Sequence, residues 1–178
     1  MTPKVFAIVP ARMASTRFPS KPLIKILDLP MIEHVRRRAL LAKGVSEVVV
    51  ATCDQVIVDV VQANGGKFIM TSDKHERASE RAAEAMTHFI ADVVVVVQGD
   101  EPSLLPTDIE AVIAPLIVRD DIECVNLLSP LESEADYLNP NIVKAACNQQ
   151  GRVMYFSRAP IPYQQKKGLT FPVYRETG

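Results

Sequence analysis

Apolar positions in this chain follow two rhythms. Lys4–Val9 and Glu47–Thr52 are short runs in which apolar residues follow one another almost without a break, and Val93–Val97 is five valines in succession. Runs of that length, closed by polar or turn residues, predict strands covered on both faces. The second rhythm is helical. Met31–Ala42 places Ile32, Val35, Ala39 and Leu40 on one face and turns Arg36–Arg38 mostly to the other, with Gly44 as a stop signal. Gln55–Asn64 predicts a second helix, ended by Gly65-Gly66, before a short strand at Lys67–Met70. Glu76–Phe89 is rich in Ala and Glu and reads as a third helix, followed by the strand Asp92–Gln98. Pro106–Val118 predicts a fourth helix, with Pro106 and Asp108 in favourable N-terminal places. Cys124–Leu128 and Val143–Cys147 read as further strands.

Strands alternating with helices of ten to fifteen residues predict βαβ units and an α/β fold with a mostly parallel sheet. Such sheets bind ligands in the crevice at the carboxyl ends of their strands. Chemistry is therefore expected in the loops that leave Val9, Thr52 and Gln98.

Composition narrows the class. With 178 residues, 48% of them hydrophobic, the chain suits one domain over 1–178. Twenty basic side chains against 21 acidic ones leave no electrostatic footprint for nucleic acid or an anionic membrane, so neither is expected as a partner. The longest aliphatic run is far too short to span a bilayer, and Pro10 and Arg12 break the N-terminal apolar segment before it could serve as a signal peptide. Cys53, Cys124 and Cys147 are an odd, widely spaced set that suits buried thiols in the reducing cytosol of a cytoplasmic protein. A new apolar run, Leu169–Tyr174, begins just before Gly178, and the expectation is a domain incomplete at its C-terminus.

The loop after the first strand, Pro10–Pro22 (PARMASTRFPSKP), carries Arg12, Arg17 and Lys21 with the hydroxyls of Ser15 and Thr16, and no acid before Asp28. Three cations gathered at a strand's carboxyl end call for an anion, and arginine forks with a lysine point charge suit a polyphosphate. The loop matches neither the Walker A nor the GxGxxG pattern. After the valine run comes Gln98-Gly99-Asp100-Glu101-Pro102. A carboxylate delivered at a strand exit can serve as a hard oxygen ligand for Mg²⁺ beside a phosphate, and Gly99 permits close backbone approach. These are also ordinary turn residues, so on chemistry alone Asp100 is as readily turn as metal ligand. No histidine spacing suits a metal, and no GxSxG elbow is present.

Together these segments resemble the sugar-activating cytidylyltransferases, in particular the branch that activates 3-deoxy-manno-octulosonate (Kdo). PARMASTRFPSKPL is similar to that family's signature. Further similarities follow in order: Pro30-Met31-Ile32 with His34-Val35, Val50-Ala51-Thr52, Gly65-Gly66, Met70-Thr71, Gln98–Pro102, Asn139–Asn141 with Val143-Lys144, and Tyr155–Ala159 with Ile161-Pro162. The resemblance implies a Rossmann-like three-layer fold of the nucleotide-diphospho-sugar transferase kind. It also implies an enzyme that joins CTP to an acidic sugar, releasing pyrophosphate and a CMP-sugar for lipopolysaccharide synthesis. Pro10, Ala11, Arg12, Ser15, Arg17 and Lys21 would surround the nucleotide, with Arg12 and Lys21 on its triphosphate. Asp100 would hold Mg²⁺, and Gln98 and Arg158 would face the sugar. A homodimer and a second metal carboxylate from a later segment are also implied.

Three places depart from the family pattern. Ser20 stands where glycine is usual. Arg77-Ala78-Ser79 replaces Ser-Gly-Thr between His75 and Glu80-Arg81, and Glu176 replaces a histidine. Ala78 adds a methyl where the backbone would approach the nucleotide. Arg81 can orient a phosphate or carboxylate, or it can be a solvated helix residue paired with Glu80 or Glu84. The alternatives are a cytidylyltransferase for another acidic sugar or acid analogue, and a nucleotide-binding module without catalysis.

Overall fold

The computed structural model describes residues 2–14, 19–165 and 172–177. The chain divides into two compact units, Met1–Val125 and Asn126–Gly178.

In the first unit the elements run β1 (Val5–Ala11), a 3₁₀ turn at Lys21–Leu23, the short pair β2 (Lys25–Ile26) and β3 (Leu29–Pro30), α1 (Met31–Leu40), β4 (Glu47–Thr52), α2 (Gln55–Ala63), β5 (Lys67–Met70), α3 (Ala78–Met86), β6 (Val93–Val96) and α4 (Pro106–Val118). Four strands form a parallel sheet in the order β5-β4-β1-β6. Strand alternation sorts β1 between two cores. Val5, Ala7, Val9 and Ala11 meet Ile32 and Val35 of α1, Ile57 and Val61 of α2, and Ile109 and Ile113 of α4. On the opposite face Ile8 joins Val49 and Ala51 of β4 and Ala82 and Ala85 of α3. Helices thus cover both faces, giving the three layers expected. The chain adds β4 and β5 on one side of β1, then crosses back to place β6 on the other. That reversal between β1 and β6 is the switch point where such sheets open a crevice.

Two readings of the sequence need correction here. The valine strand is an edge strand of this sheet rather than one buried on both faces: Val94 and Val96 are 38% and 40% exposed, while Val93 and Val97 are buried. Arg36, expected on the solvent side of α1, is buried against the fully buried Glu33, which accepts from its Nε at 2.8 Å and its Nη2 at 2.7 Å. Arg36 also donates to the Asn64 carbonyl at 3.1 Å, tying α1 to the end of α2.

The second unit contains β7 (Leu128–Pro130), α5 (Glu134–Leu138), β8 (Lys144–Cys147), β9 (Val153–Ser157) and β10 (Tyr174–Glu176). Its strands form a separate antiparallel sheet in the order β7-β10-β8-β9. The strand read at Cys124–Leu128 lies instead at Leu128–Pro130. The short turn Asn148–Arg152, with Gly151 at φ +78°, returns β9 directly onto β8, and an antiparallel pair follows from so short a connection. Among the described residues no helix is long and apolar enough to cross a membrane.

Candidate nucleotide site

A cavity of about 620 Å³ opens in the first unit at the switch point. Pro10, Ala11 and Arg12 reach it from the carboxyl end of β1, and Gln98, Gly99 and Asp100 from the turn after β6. The two turns are packed closely: a Cβ on Gly99 would lie 2.5 Å from the Pro10 carbonyl oxygen, so only glycine fits. The close approach expected of Gly99 is therefore made to the β1 backbone.

Lys21, on the 3₁₀ turn, closes one side of the cavity and donates to Asp100 Oδ2 at 2.6 Å. Both side chains are part-exposed, at 37% and 51%. The turn is entered through Ser20, whose φ of 60° and ψ of 17° lie in the left-handed region. The serine found in glycine's place thus occupies a conformation that glycine favours. Arg12 is exposed, and its Nη1 donates to the His75 carbonyl at 3.4 Å.

The opposite wall is the segment from His75 into α3, with Glu76, Arg77 and Ala78 lining the cavity. Its backbone is held by two carboxylates. Glu80 Oε2 accepts from the Glu76 and Arg77 amides at 3.1 and 3.2 Å. Glu84 accepts from the Ser72 amide at 2.9 Å and pairs with His75 Nε2. The Ser72 amide, then His75, hold the Glu84 carboxyl below the ordinary glutamate range. Arg81 is only 3% exposed, so the solvated alternative does not hold. It lines the cavity, Nη1 donates to Thr71 Oγ1, and Nη2 is buried without a hydrogen-bond partner among the described residues.

Glu101 is pushed up from its ordinary value by burial and by the charges of Asp100 and Asp108; of the adjacent pair, only Asp100 lines the cavity. Among the described residues no group of three His, Cys, Asp or Glu side chains could hold a metal by itself.

The structure therefore brings together Pro10, Ala11, Arg12, Lys21, Arg81, Gln98 and Asp100. Ser15 and Arg17 lie outside the described residues. Arg158 belongs to the second unit, where its Nη1 donates to the Pro140 and Asn141 carbonyls at 3.1 Å each. Sequence reasoning missed Asp54, whose carboxylate accepts the Met13 amide at 2.7 Å. Its only sequence signal was its position, two residues beyond the end of β4.

Comparison with known proteins agrees with this geometry. A family profile described as cytidylyltransferase matches residues 6–178. The 3-deoxy-manno-octulosonate cytidylyltransferase of Geobacter metallireducens is 46% identical over 159 residues, covering 89% of this chain and 63% of that protein. A protein of the same name from Acaryochloris marina is 40% identical over 98% of this chain and 71% of its own length. The solved structure of CMP:2-keto-3-deoxy-manno-octonic acid synthetase complexed with CTP superposes with a TM-score of 0.92 at 38% identity, covering 98% of this chain and 72% of that one. The chain thus spans somewhat under two thirds of the Geobacter relative's length, and with a profile match over nearly all of it, it belongs to the cytidylyltransferase family.

Proposed function

We propose that the chain acts as a cytidylyltransferase that joins CMP from CTP to a hydroxyl of an acidic 3-deoxy-ulosonic sugar, Kdo, with release of pyrophosphate. The observation that carries this reading is the convergence of Arg12, Lys21 and Arg81 on one cavity with Asp100 on its rim. Relatives named for that reaction, and a similar solved structure complexed with CTP, support the choice of nucleotide and sugar. In the reaction the sugar hydroxyl attacks the α-phosphorus in line and gives up its proton to water, the bond to the oxygen bridging the α- and β-phosphates breaks, and pyrophosphate leaves with the charge. Transfer of this kind depends on positioning and on charge stabilisation. Arg12 and Lys21 take the phosphate oxygens. Arg81 Nη2, a buried donor, meets an acceptor oxygen of the nucleotide.

Asp100 is the residue that would hold Mg²⁺. A single carboxylate suits this ion, which keeps several waters and completes its shell with phosphate oxygens. Its chemistry there would be to neutralise phosphate charge. Lys21 would compete with Mg²⁺ for the Asp100 carboxylate, and its displacement would free the ammonium for phosphate. A part-exposed ion pair is worth only about 0–1 kcal/mol, so that exchange costs little. Gln98 faces the sugar, and the assignment of Arg158 to the sugar carboxylate rests on the family resemblance.

Pyrophosphate release with CTP against a panel of ulosonic acids tests the reading. Arg12→Ala and Lys21→Ala should each slow turnover by about two orders of magnitude, the usual loss for a transition-state charge contact. Unchanged kcat and KM for CTP in both variants would remove these residues from the site.

A further inference from the structure

Asp54 is a residue of the type that best caps a helix, standing at the N-cap of α2, yet its side chain makes no capping hydrogen bond. Its carbonyl oxygen starts the helix instead, accepting from Ile57 and Val58 at 3.0 and 3.3 Å. The carboxylate reaches out of its own helix, and Oδ2 accepts the Met13 amide at 2.7 Å. The half-buried Cys53 thiol also donates to Oδ2, at 3.7 Å.

The sheet explains why Met13 is the partner. The β1–β4 register ends at Ala11 opposite Thr52, so Met13 and Asp54 stand opposite each other two residues beyond the ladder. The carboxylate supplies an acceptor there after β4 has turned away into α2. Arg12 lies between two fixed points, the last rung at Ala11 and the Met13 amide. Met13 packs on the main core, while Arg12 is exposed and lines the cavity. A charge-assisted bond of this length orders the strand exit more firmly than a neutral one. Asp54 itself is not among the cavity-lining residues, so its charge is spent on backbone at the phosphate loop's root.

We propose that Asp54 is a positioning residue for the nucleotide-binding loop: by holding the Met13 amide it fixes the direction in which Arg12 leaves β1. The proposal rests on the nucleotide reading above. Its test is CTP affinity, by titration calorimetry on the whole chain well below its melting temperature, together with hydrogen exchange of the Met13 amide. Asp54→Ala should weaken CTP binding about tenfold and expose the Met13 amide to exchange, as for loss of a hydrogen bond to a charged group. Asp54→Ser places a favourable N-cap residue at the start of α2 but is too short to reach Met13, so it should lose affinity equally without relying on a destabilised fold. Asp54→Asn retains a neutral acceptor at the right length and should recover part of the lost affinity, to within about threefold of the unsubstituted chain. Failure of the unsubstituted chain to bind CTP overturns the nucleotide reading and this inference with it. Binding by the unsubstituted chain with undiminished binding by Asp54→Ala overturns the inference alone. So does an Asp54→Asn variant as impaired as Asp54→Ala, since an acceptor at the right length would then do nothing for the loop.

Discussion

Ser20 shows how one residue can trade stability for placement. Its left-handed backbone turns the chain into the 3₁₀ helix that presents Lys21, and its carbonyl accepts the Leu23 amide at 2.9 Å. A non-glycine residue held there is strained by about 1 kcal/mol. Ser20→Gly should therefore raise the urea midpoint by an amount equivalent to about 1 kcal/mol, reduced by the extra freedom glycine gives the unfolded chain. A lower midpoint would mean that the Ser20 side chain more than offsets its backbone strain. Glu84 carries a pH signature. Its carboxyl is held below the ordinary glutamate value by the Ser72 amide and then by His75. A carboxyl depressed on folding stabilises the native state above its unfolded pKa, and that stabilisation is lost as pH falls through its folded value. Glu84→Gln should flatten this acid limb of the stability curve, as thermal melts across pH would record. An unchanged acid limb would assign the depression to other carboxylates. The cavity cations Arg12 and Lys21, and Asp100, were legible in sequence because they cluster within loops at strand ends. Asp54 and the His75–Glu84 pair were not, since a carboxylate on a helix or turn gives no sign of which distant amide or imidazole it meets.

At the scale of elements, helix α1 was legible as to start and period, but not as to where its charges go. Glu33 and Arg36 are three residues apart, a spacing that usually marks a solvated pair; here α2 and Gly66 close over them, and a Cβ on Gly66 would lie 2.8 Å from Arg36 Nε. Removing one partner leaves an uncompensated buried charge, so Glu33→Ala should cost about 3–5 kcal/mol in a denaturation experiment. Replacing both, as Glu33→Met with Arg36→Met, should cost clearly less than the single change. A double variant as costly as Glu33→Ala would mean that the charge left unpaired on Arg36 is not what makes the single change expensive. The valine run misled for a related reason. Continuous apolar sequence predicts burial on both faces, yet β6 is at one edge of its sheet, and edge position is set by chain order, not by local pattern. The antiparallel sheet of the second unit was hidden likewise, because its strands are three to five residues long and too short to carry a period.

For the whole molecule, the instructive feature is that a chain with a formal net charge of −1 concentrates cations in one place. All residues lining the cavity, and both hydrophobic cores that flank the parallel sheet, lie within Met1–Val125. A stretch of 125 residues with its own two-sided core is within the size at which domains fold alone. The second unit has a small core of its own, Leu131, Tyr137 and Val173, and the buried Lys144 ammonium, which donates to the Asn139, Ile142 and Arg158 carbonyls at 2.6–2.9 Å. Nucleotide binding and sugar transfer should therefore separate. Residues 1–125 produced alone should fold cooperatively and bind CTP within about tenfold of the whole chain's affinity, with binding weakened by added salt because the contacts are ionic. On the role proposed above for Arg158, they should form no CMP-sugar. Calorimetry with CTP at two salt concentrations checks the first expectation and pyrophosphate release the second. A cooperatively folded 1–125 that no longer binds CTP would show that the second unit supplies part of the nucleotide site.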